Sequence, residues 1–66
     1  METIGQKIAA RAKARAVNYA RRFNVNVYVF AAPYGPRLDV SEPVTHQEYN
    51  VATPTGGYGR VTRKAD

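Results

Sequence analysis

The 66-residue chain has no cysteine and no tryptophan, and only one histidine and one methionine. Without cysteine, neither a disulfide nor a thiolate-ligated zinc can staple the fold. The lone His46 cannot build a His-rich metal site, so no metal and no cofactor are expected. A chain this short buries only about 60% of the surface its unfolded form exposes, so the core is marginal and one domain is the most it can form. The missing cysteine framework speaks against a small secreted domain. Met1–Gly5 carries no apolar h-region, and the longest apolar run, Val27 to Ala32, falls far short of the roughly 20 residues that span a bilayer. The expectation is a cytoplasmic protein without membrane attachment.

Catalytic constellations are also lacking. Ser41 and His46 lie five residues apart in a loop pattern with no third group to orient them. Asp39, Glu42 and Glu48 read as solvated loop charges, not as an acid–base pair. Gly56-Gly57-Tyr58-Gly59 lacks the spacing of a phosphate loop, and no helix pattern follows it. The chain is read as a non-enzyme without a small-molecule substrate.

What it has is positive charge, unevenly placed. The formal net charge is +5. Lys7, Arg11, Lys13, Arg15, Arg21 and Arg22 against Glu2 alone give residues 1–23 the whole of that excess. From residue 24 onward the charges cancel, with 24–59 net acidic and 60–66 net basic.

This basic third reads as one helix from Ile4 to Phe23. Thr3 and Gln6 form a T-x-x-Q capping box, six alanines between positions 9 and 20 favour helix, and Asn24 suits a left-handed terminator. At about 100° per residue, Ile8, Ala12, Ala16, Tyr19 and Phe23 fall in one arc of about 80°, expected to dock on a sheet with Ile8, Tyr19 and Phe23 as anchors. Lys7, Arg11, Arg15, Asn18 and Arg22 fall in a neighbouring arc, flanked by Lys13 and Arg21.

Beyond the helix, Val25–Phe30 alternates with period two and reads as a strand. Pro33–Pro36 reads as a turn and Arg37–Ser41 as the second strand of a hairpin, ended by Pro43. Tyr49–Thr53 and Tyr58–Thr62 are candidate third and fourth strands, with a loosely ordered 43–66 as the alternative. Residues 63–66 are expected to fray from a domain spanning 1–62. The fold class is α+β: one N-terminal amphipathic helix packed on a small antiparallel sheet of two to four strands that includes the β-hairpin.

A solvated helix face normally mixes acids with bases for intrahelical pairing, yet no acid lies between Gln6 and Asn26. The uncompensated row Lys7, Arg11, Arg15 and Arg22, with Lys13 and Arg21 in second rank, therefore points to an anionic partner. Nucleic acid, DNA or RNA, is the first expectation, bound through its backbone because no RNP motif, helix-turn-helix or zinc finger is present. Tyr28, Phe30 and Tyr34 are candidate stacking or interface residues. The alternative is an inhibitor or adaptor docking on an acidic protein surface, as in small bacterial or phage accessory proteins. Aromatics left on the open sheet face also make a homodimer an expectation.

Overall fold

The computed structural model describes residues 3–44 and 48–62. The element order is α1 (Ile4–Phe23), β1 (Val27–Ala32), β2 (Gly35–Asp39), β3 (Glu48–Ala52) and β4 (Tyr58–Thr62). The strands form one antiparallel sheet in the order β2-β1-β3-β4. The helix packs on one face of that sheet, so the α+β expectation holds, with all four candidate strands formed.

The helix begins and ends where local chemistry directs. The Gln6 amide donates to Thr3 Oγ1 at 3.1 Å, and the Thr3 amide donates to Gln6 Oε1 at 2.8 Å, closing the capping box. At the other end Asn24 is left-handed at φ 54°, and the amides of Asn24 and Val25 both donate to the Ala20 carbonyl. Those bonds hold residues 24 and 25 in the helix exit. The first strand therefore starts at Val27, two residues later than the alternation at Val25 indicated.

The same two-residue shift carries through the hairpin. Ala31 pairs with Pro36 and Ala32 with Gly35, leaving only Pro33 and Tyr34 as the turn. Gly35 takes φ 123°, which side-chain-bearing residues rarely adopt, and this tightens the expected four-residue turn to two. The second strand ends at Asp39 and not near Pro43, because the Asp39 carboxylate accepts the Ser41 amide at 3.0 Å and turns the chain.

Strand β3 lies beside β1, not beside β2, so the connection from Asp39 to Glu48 crosses β1. Its described part runs over the face opposite the helix. There Pro43 is buried, and the Tyr49 hydroxyl donates to Glu42 Oε1 at 2.7 Å. The β3–β4 turn is held by paired amides, Thr53 to the Gly57 carbonyl at 2.9 Å and Gly56 to the Thr53 carbonyl at 3.0 Å. His46 and residues 63–66 lie outside the described residues.

The core sits between the helix and the centre of the sheet, and it corrects one expectation. Ala12, Ala16 and Ala20 are its helix contribution, facing Val27, Val29 and Ala52. Ile8, Tyr19 and Phe23, expected as anchors, remain 44%, 45% and 54% exposed. The reason is geometric. A helix approaches a sheet most closely along a row of methyl groups, and close packing rewards that approach. The larger side chains of the same arc then lie to the side of the seam or on its final turn. Val17, Val25 and Tyr58 close its margins.

Candidate functional site

The helix carries every cation expected at the site, and packing sorts them into two groups. Lys7, Arg11 and Arg15 follow one another at four-residue steps, about 6 Å of axial rise each, and Arg22 follows two turns later. All four are exposed on the side of α1 away from the alanine seam. None has a carboxylate partner among the described residues. The sequence holds no acid from Thr3 through Leu38 to supply one locally.

Each described acid is engaged elsewhere. Asp39 caps the turn after β2. Glu42 accepts from Tyr49. Glu48 pairs with Arg60 across β3 and β4 at 3.0 Å, the only ion pair among the described residues. That pair is exposed on both sides and contributes at most about 1 kcal/mol, but it keeps Arg60 from adding to the helix charge.

Lys13 and Arg21, the second-rank cations, point the other way. The Lys13 ammonium lies 5.3 Å from the Tyr58 ring centroid on β4. Arg21 lies over the β3–β4 turn, close enough that a methyl group added at Gly56 would sit 2.5 Å from its guanidinium. Burial under the helix flank pushes the Tyr58 hydroxyl above its ordinary pKa of 10.0. The structure thus unites Lys7, Arg11, Arg15 and Arg22 and leaves Lys13 and Arg21 on a separate flank.

The three candidate aromatics do not come together either. Tyr28 and Phe30 are half-buried on the sheet face opposite the helix, where Tyr28 meets Tyr49 edge-on at 5.7 Å between centroids. Tyr34 projects fully exposed from the β1–β2 turn. The aromatic cluster beside the cations is instead Tyr19 with Phe23, their rings 4.5 Å apart, and the Arg22 guanidinium lies 5.7 Å from the Phe23 centroid. Sequence reasoning assigned this pair to the core. Its signal was the position of Tyr19 four residues after Arg15, on the edge of the apolar arc nearest the basic one, with Phe23 a further turn along and next to Arg22 in the chain.

An open cleft of about 490 Å³ separates the N-terminal half of the helix from the sheet. Ile8, Ala12, Val29 and Pro36 form much of its wall. Its only charged lining residues, Glu48 and Arg60, are already paired with each other. No group of three or more potential metal-ligating acids or histidines occurs among the described residues, and no described helix is long and apolar enough to cross a membrane. Comparison with protein-family models, with curated proteins and with solved structures finds no match, so the functional reading rests on the basic row and its surroundings.

Proposed function

We propose that this protein is a non-catalytic nucleic-acid binder of the cytoplasm that engages the phosphate backbone through Lys7, Arg11, Arg15 and Arg22. The observation that carries the reading is the row itself: four exposed cations along one helix with no carboxylate partner among the described residues. Like charges at four-residue spacing weaken a helix by about 0.2–0.5 kcal/mol per pair, a cost that an external polyanion reverses. The arginines can grip phosphates through two parallel hydrogen bonds, whereas Lys7 acts as a point charge. Such contacts position a strand without reading its sequence.

The test is a titration of random duplex DNA and of single-stranded RNA at low and moderate salt, with the parent protein and with Arg11→Glu plus Arg15→Glu. Salt-sensitive binding that the double variant loses is the expected result. Absence of binding at low salt, together with stoichiometric capture of one acidic protein abolished by the same double variant, would move the basic row to a protein partner.

A further inference from the structure

We infer that the strand recognised is single, and that Tyr19 and Phe23 form a stacking step for its bases at the C-terminal end of the basic row. This rests on the nucleic-acid reading above and narrows it to a substrate class. Two observations meet at this place. The first is electrostatic: Arg15 and Arg22 stand four residues before and three after Tyr19 on α1, which makes them its surface neighbours, and the Arg22 guanidinium lies 5.7 Å from the Phe23 centroid. The second is the exposure of the rings. Tyr19 and Phe23 touch each other at 4.5 Å between centroids and leave about half of their surface open, while alanines perform the docking they would otherwise perform.

An exposed aromatic pair flanked by arginines fits a ligand that is anionic along one edge and has flat apolar faces along the other. A single-stranded polynucleotide has both. Its bases are unstacked and free to lie on a ring, and its phosphates follow the cations. A duplex keeps its base faces inside and offers these rings only phosphate and groove edges. Stacking of this kind tolerates any base, because each has a π-face, and agrees with a site that has no hydrogen-bonding readout. DNA and RNA single strands share this chemistry, so the probes must include both.

The chain has no tryptophan, so Phe23→Trp introduces a single reporter at the step and preserves an aromatic ring there. The probes are short oligothymidylate, short oligouridylate and a mixed-sequence duplex of the same length. The expected result is quenching of the Trp emission by one or both single strands and not by the duplex. In parallel, Phe23→Ala weakens single-strand binding by roughly 5- to 150-fold, the range of one lost base stack, and leaves both duplex binding and the slope against salt unchanged. Circular dichroism of both variants verifies that the helix is intact. Quenching by thymidylate alone or by uridylate alone still supports the step and names the sugar it accepts. Salt-sensitive binding of duplex and single strand alike, with an unquenched Trp and a silent Phe23→Ala, overturns the stacking step while the basic row stands. Failure of every probe to bind overturns both.

Discussion

Replacing Arg11 and Arg15 together by glutamine isolates what the basic row does. Both side chains are exposed and neither has an ion-pair partner among the described residues, so the change removes charge without opening a cavity. Four phosphate contacts give a slope of log affinity against log salt of about −3.6, and the two left after substitution give about −1.8. Between about 50 and 200 mM salt the parent then loses roughly 150-fold in affinity, and the variant roughly 12-fold. Stability moves the opposite way. The substitution removes two like-charge pairs at four-residue spacing, Lys7–Arg11 and Arg11–Arg15, each unfavourable by about 0.2–0.5 kcal/mol. Glutamine and arginine have similar helix propensity, so this relief is not cancelled. For a domain this small the gain raises Tm by about 2–8 °C. The measurements are anisotropy titrations of a labelled oligonucleotide across a salt series, and thermal unfolding followed at the helix signal. An unchanged salt slope, or a Tm that falls, would show that these arginines serve the fold and not a ligand.

Other outcomes follow from the packing. Ala16→Leu, at a position with no exposed surface between helix and sheet, overpacks the seam and destabilises by about 1–3 kcal/mol, whereas Ala14→Leu on the exposed side stays within about 0.5 kcal/mol; equal denaturant midpoints for the two would deny that alanines set the helix–sheet distance. Thr3→Ala removes the hydroxyl that accepts the Gln6 amide and lowers stability by about 1 kcal/mol, read as a lower Tm and as faster hydrogen exchange in the first helical turn. Gly56→Ala places a side chain at φ 91° and against Arg21, costing about 1–3 kcal/mol; a neutral effect in chemical unfolding would mean that the β3–β4 turn relaxes freely.

Much of the architecture was legible locally. The helix from Ile4 to Phe23 rests on a capping box, an alanine-rich interior and Asn24, all interactions within a few residues of one another, and its observed bounds coincide with those read from the sequence. Strand β4 coincides as well, because the glycines and Pro54 before it mark the turn. The first hairpin was displaced by two residues because its limits depend on two closures that alternation does not register, the bonds of Asn24 and Val25 back to Ala20 and the positive φ of Gly35. Of the sheet order, the hairpin pairing of β1 with β2 was legible, but the side on which β3 joins was not. Whether β3 joins β1 or β2 depends on where the chain between Asp39 and Glu48 crosses, and burial of Tyr49 and Pro43 against the helix-free face accompanies the crossing observed.

The site divides along the same line. Charge is a property of composition, and the absence of acids along the helix was visible before any coordinate. The helical period already set Lys7, Arg11, Arg15 and Arg22 on one arc; tertiary packing decided what the flanking pair meets, by laying Lys13 against Tyr58 and Arg21 against the β3–β4 turn. Periodicity placed Tyr19 and Phe23 in the apolar arc, but it carries no information on how closely that arc approaches its sheet. Three alanines set that distance, and the short seam they form left the two rings beside the arginines.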